Sequence, residues 1–101
     1  MTKKDDRIAS AIHSAAAKFV NRESNRRSLI TVTKVELLHG ERNARVFVSV
    51  FPPHEARAAL DFLKRQEGAF RSFLKTEVKL PLHPHVQFLP DPEMGENRPL
   101  I

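Results

Sequence analysis

Apolar residues recur along this chain at two different periods, and the switches between them divide it into elements. Ile8, Ile12, Ala15, Ala16 and Phe19 fall at helical spacing, so residues from about Asp5 to Arg22 are expected to form an amphipathic helix with one apolar stripe. The run Ala15-Ala16-Ala17 adds high helix propensity and a narrow surface suited to close packing. Lys4, Arg7, Lys18 and Arg22 lie outside or beside that stripe. Asn21 to Ser28 is polar and rich in turn formers, and reads as the helix end and a loop.

The period then changes to two. Leu29 to Leu38 is rich in β-branched residues, with Leu29, Thr31, Thr33, Val35 and Leu37 expected on one face and Ile30, Val32, Lys34 and Glu36 on the other. Both faces are apolar at its start, which predicts cover on two sides there. His39 to Asn43 is too long for a two-residue turn and fits a longer loop, with Gly40 free to take positive φ. Ala44, Val46, Val48 and Val50 alternate with Arg45, Phe47, Ser49 and Phe51, the clearest strand in the chain. Pro52-Pro53-His54-Glu55 supplies a rigid turn into a helix whose apolar positions are Ala56, Ala59, Leu60 and Leu63. Gly68 interrupts that pattern, and Phe70, Phe73 and Leu74 resume it in a kinked continuation or a second helix starting near Ala69. Pro81 and Pro84 exclude a central strand, while Val86-Gln87-Phe88-Leu89 alternates as a short final one. Residues 1–89 are therefore read as one folded domain, and 90–101, with three prolines, as an extended or disordered tail.

Composition narrows the class. No apolar run approaches the roughly 20 residues needed to span a bilayer, and the N-terminus lacks the apolar stretch of a secretory signal. There is no cysteine, hence no disulfide framework, thiol metal site or thiol nucleophile, and the expected compartment is the cytoplasm. A net charge of +5 and a pI of about 10.1 favour a polyanionic partner, because lysines and arginines that neutralise phosphates release condensed counterions.

The order helix, strand, strand, helix, kink, helix, strand is that of type II KH-like domains, an α+β fold with helices on one face of a three-stranded sheet. The segments Leu29 to Glu36, Asn43 to Val50, Gly68 to Leu74 and Pro84 to Phe88 together resemble the bacterial ribosome-binding factor A family. That resemblance runs from about Arg7 to Leu89. It implies a non-catalytic RNA-binding factor that assists late maturation of the small ribosomal subunit, near the decoding region and the 3′ end of its rRNA. It implies release linked to assembly GTPases, and a monomer without cofactor is expected. A conventional KH domain carries a GxxG loop, but the glycines here are Gly40, Gly68 and Gly95 alone, so none can form. The family writes its kink Ala-x-Gly; this chain reads Gln66-Glu67-Gly68, keeping the glycine and adding a negative charge. Lys79 remains from the family's basic segment before the last strand, while Pro81 stands where a second basic residue is typical.

The candidate RNA surface is therefore Gly68 with Lys64, Arg65, Arg71, Lys75 and Lys79 around it. A helix starting just after the glycine would also turn free N–H groups toward an anion. A second basic group is Arg26 and Arg27 in the loop after the first helix, with Lys3, Lys4 and Arg7 at the N-terminus. Arg42 and Arg45 flank the hairpin loop. The bland alternative for each is a solvated charged surface. Of the phenylalanines, Phe19, Phe70, Phe73 and Phe88 are expected in the core, and Phe47 and Phe51 under a helix or exposed for base stacking. His83-Pro84-His85 has no nearby cysteine or carboxylate pair to complete a metal site, so no metal is expected. Ser49 lacks a nucleophile elbow, and no Walker loop or carboxylate pair is present, so no enzyme is expected. The competing readings are a KH-like module for a non-ribosomal RNA and a protein-interaction domain using the open sheet face.

Overall fold

The computed structural model describes residues 3–23, 27–38, 40 and 42–93. Helix α1 is Lys3–Glu23, strands β1 and β2 are Leu29–Leu38 and Asn43–Phe51, helices α2 and α3 are Ala56–Arg65 and Glu67–Glu77, and strand β3 is His85–Pro90. A short 3-10 turn at Pro53–Glu55 leads into α2, with a proline in its first turn where a missing N–H costs nothing. The sheet order is β1-β2-β3, antiparallel between β1 and β2 and parallel between β2 and β3. A parallel pair needs a crossover, and α2 with α3 supplies it.

One core lies between the helices and one sheet face. Ile8, Ile12, Ala15, Ala16, Phe19 and Val20 of α1 are buried with Ala56, Ala59 and Leu63 of α2 and Phe70 and Leu74 of α3. The facing sheet residues are Ile30, Val32 and Val35, Ala44, Val46, Val48 and Val50, and Val86 and Phe88. Phe19, Phe70, Phe73 and Phe88 form a tilted aromatic chain with ring centroids 5.2 to 6.4 Å apart, as their helical and strand periods predict. Gly40 takes φ 63°, the left-handed turn its loop requires.

Four expectations are corrected. The alternation of β1 does not hold along its length. The register shifts between Val32 and Lys34, so Thr33 is an extra residue, and Val35 joins Ile30 and Val32 in the core instead of Leu29 and Thr31. The early part of β1 is covered on one side only, because Leu29 is 63% exposed. Phe51 does not pack under a helix. It faces away from them, 68% exposed and paired across the strands with Leu29, while Phe47 lies half-buried on the same open face. Finally, the break between α2 and α3 falls at Gln66, not at Gly68, which is helical within α3.

The folded chain also runs past Leu89. Asp91 N–H donates to the Val48 carbonyl at 2.8 Å, and its carboxylate accepts from Glu93 N–H at 2.8 Å. Hydrogen bonds from Thr33 and from Glu93 N–H, with Lys34 nearby, hold the Asp91 carboxyl below its ordinary range. The expectation of an extended or disordered tail concerns mostly residues 94–101, which lie outside the described residues.

Candidate nucleic-acid interface

The kink is built by Gln66. At φ −95° and ψ 3° it leaves helical geometry, while its N–H still bonds the Phe62 and Leu63 carbonyls at 3.2 and 2.9 Å. Its own carbonyl accepts from Phe70 N–H at 2.8 Å and so opens α3. No side chain caps α3, leaving its first-turn N–H groups without a side-chain acceptor. Gly68 is exposed in that first turn, and a Cβ added there would meet nothing within 4 Å. The fold itself therefore does not require glycine at this position. Glu67 does not project beside it into the solvent; its carboxylate accepts from Phe88 N–H at 2.9 Å and is half-buried against β3.

The expected cations divide between the two ends of α3, an 11-residue helix of roughly 16 Å at 1.5 Å per residue. Lys64 and Arg65 close α2 at the kink, where they also complement its negative end. Lys75 and Lys79 lie at the far end, Lys79 in the segment leading to β3. Arg71, between them, is half-buried and donates from Nη2 to the His83 carbonyl at 3.1 Å.

Ion pairing separates the surfaces more sharply than position does. Lys18 pairs with Glu77 at 2.7 Å, Arg22 with Glu23 at 3.1 Å, and Lys34 and Arg45 share Glu36 at 3.0 and 3.9 Å. Arg22 also lies over the Phe73 ring at 4.7 Å. By contrast Arg57, Lys64, Arg65, Lys75 and Lys79 are exposed and form no ion pair with any described residue. Arg57 is not among the cations expected from the sequence; its signal is the seven-residue spacing to Lys64, two turns along one helix. The two flank an open groove of about 430 Å³ between α2 and the end of β3, with Leu60 and Pro90 in its walls.

The second basic group is not brought together by described contacts. Arg26 lies outside the described residues, as do the side chains of Lys3 and Lys4, although both lysines belong to α1. Arg7 and Arg27 are exposed. His83 is engaged by its Nε2 at 2.7 Å from the Val78 carbonyl. No group of three metal-ligating side chains occurs among the described residues, and no described helix is long and apolar enough to cross a membrane.

Helices on one side of a mixed three-stranded sheet, joined by a kink in place of a glycine loop, define a KH-like α+β protein with an exposed basic surface on its helical side. The family model described as ribosome-binding factor A matches residues 4–99. The chain belongs to the ribosome-binding factor A family. Its relative from Carboxydothermus hydrogenoformans is 30% identical over 94 residues, covering 90% of this chain and 75% of that protein. The Thermotoga petrophila relative is 31% identical over 67 residues, covering 65% of this chain and 51% of its own length, so the match spans about half of that protein. Among solved structures, the crystal structure of ribosome-binding factor A from Thermus thermophilus superposes with a TM-score of 0.76 at 26% identity, over 85% of this chain and 94% of that one. A homology model of the Thermus thermophilus factor, fitted into a cryo-electron-microscopy map of a complex between the 30S subunit and that factor, gives 0.71 at 25% identity over 91% and 96%.

Proposed function

We propose that this protein binds the immature small ribosomal subunit through rRNA and assists its late assembly and rRNA processing by binding alone, without chemistry of its own. The observation that carries the reading is the set of exposed cations Arg57, Lys64, Arg65, Lys75 and Lys79 along α2, α3 and the segment beyond, unpaired among the described residues. Family membership and the 30S complex of the Thermus relative support the target. Unpaired surface cations can meet phosphates without first giving up a carboxylate partner, and phosphate contacts set register on a folded RNA. Assistance by binding needs only differential affinity: a factor that prefers the immature rRNA conformation shifts that population and leaves as the mature state forms. An assembly GTPase would hasten that departure. The protein acts as a monomer in the bacterial cytoplasm.

The test is co-sedimentation with mature and immature small subunits across a salt series. Binding that prefers immature subunits and weakens by about 0.7 to 0.9 in log–log slope per phosphate contact is expected. Absence of binding to either particle overturns the ribosomal target. Salt-insensitive binding would favour a protein contact instead, for which exposed Leu29 and Phe51 on the open sheet face are the candidates.

Gly68 gives an independent check, because its two possible roles oppose each other. As a helical glycine with open space around it, Gly68→Ala should raise stability by up to about 1 kcal/mol. If the glycine is there to admit an RNA backbone, the same variant binds immature subunits more weakly while melting a few degrees higher. A variant that is stabilised and binds normally removes the kink from the interface.

A further inference from the structure

Arg71 sits in the middle of the basic helix, yet its environment is unlike that of its neighbours. It is half-buried, its Nη2 donates to the His83 carbonyl at 3.1 Å, and its Nε is buried without a hydrogen-bond partner among the described residues. A guanidinium held partly out of water with one N–H unmet is unfavourable for folding. What the arrangement achieves is geometric: it ties the main chain just before β3 to the middle of α3.

Other contacts pin the same short segment. His83 Nε2 lies 2.7 Å from the Val78 carbonyl, and Val78 N–H bonds the Leu74 carbonyl at 2.9 Å. Pro84 is fully buried, and Pro81 stiffens the stretch between. The exposed cation carried by this closed segment is Lys79.

We infer that Arg71 is a positioning residue: it does not contact RNA phosphate itself, but with His83 it clamps the 78–84 segment so that Lys79 is held ready for one. This rests on the RNA-binding reading above. A cation carried on an already ordered main chain binds without the entropy loss of ordering that main chain at the moment of contact. Released, Lys79 would contribute little.

The experiment is a double-mutant cycle on binding to immature small subunits over a salt series, with melting curves confirming that every variant is folded. Lys79→Gln in the otherwise unaltered protein is expected to weaken binding about fourfold near 0.15 M salt and to lower the salt slope by about 0.7 to 0.9. In an Arg71→Gln or His83→Ala background the same change should alter neither quantity. His83→Ala keeps the main-chain carbonyl that Arg71 bonds but removes the imidazole at the Val78 carbonyl, so it loosens the segment from its other end without touching any cation, and serves even if Arg71→Gln fails to fold. Arg71→Lys keeps the charge but not the guanidinium fork, and should behave as Arg71→Gln. Hydrogen exchange of the Val78 and His85 amides, whose bonds to the Leu74 and Arg42 carbonyls close the two ends of the segment, should quicken in both clamp variants when measured without RNA.

Additive losses in Arg71→Gln/Lys79→Gln, with a second drop in slope, would make Arg71 a direct phosphate contact and overturn the inference. So would Arg71→Lys retaining full affinity, or unchanged amide exchange. If the unaltered protein shows no salt-dependent binding while the amides do quicken, the RNA reading fails and the clamp stands as a purely structural device, which also overturns Arg71's assignment as a positioning residue for RNA.

Discussion

Phe70→Ala is expected to destabilise the fold by about 3–5 kcal/mol, a large share of the roughly 5–15 kcal/mol that holds a domain of this size together. Phe70 is fully buried, and its ring lies 5.2 Å from Phe19 of α1 and 5.6 Å from Phe88 of β3. It is therefore the side chain through which three elements meet, and truncating it leaves a cavity that none of them can fill alone. Urea titration reads the effect as a lower midpoint with an unchanged slope. Phe51→Ala is the control, because a ring 68% exposed loses little burial on truncation and should stay within about 0.5 kcal/mol. Equal effects at the two positions would mean that the aromatic chain is not the centre of the core.

Reversing two charges at the kink should have the largest effect on binding. Each unit of charge removed from a phosphate contact costs about fourfold near 0.15 M salt, so Lys64→Glu/Arg65→Glu, a change of four charge units, is expected to weaken RNA binding on the order of a hundredfold. Its stability should change little, since both side chains are exposed and unpaired among the described residues. The matched control is Lys34→Glu/Arg45→Glu, which alters net charge equally but on the open sheet face, where both cations share the Glu36 carboxylate. A filter-binding series with small-subunit rRNA decides the matter. Similar losses in both variants would mean that net charge, and not the helical surface, governs association.

Much of this architecture can be read from local spacing. The α1 stripe, the alternation of β2 and the buried Phe19, Phe70 and Phe88 all follow from helical and strand periods, while Phe73, expected beside them, is only partly buried at the edge of the core. Spacing fails where one residue is inserted or where distant segments decide. The extra Thr33 in β1 moves Val35 to the opposite face, and no local residue type announces that shift. Sequence pattern puts the helix break at Gly68 because glycine is the weakest helix former in that stretch. It occurs at Gln66, where the turn allows both Leu63 and Phe70 to reach the core. In the basic surface, a count of cations cannot show which are already neutralised. Lys18 meets Glu77 across 59 positions, and Arg71 turns inward to His83. Arg57 escapes a search centred on the glycine because it lies three turns away along the chain.

The bond from Phe88 N–H to Glu67 bears on how copies of this protein can meet. β3 is an outer strand of the sheet, and an outer strand ordinarily offers a ladder of free N–H groups to any chain in need of a partner. His85 and Asp91 turn their N–H groups inward to the β2 side, so the outward donors alternate with them at Val86, Phe88 and position 90. Glu67 occupies the second, and Pro90 has none to give. Growth of a continuous sheet through many copies requires two receptive margins, and among the described residues only the β1 side remains whole. Any pairing of sheets would join β1 to β1, which uses the receptive margin of both molecules and ends the assembly at two. A single carboxylate and a single proline thus guard a protein with an exposed Phe51 on its open sheet face against fibre formation.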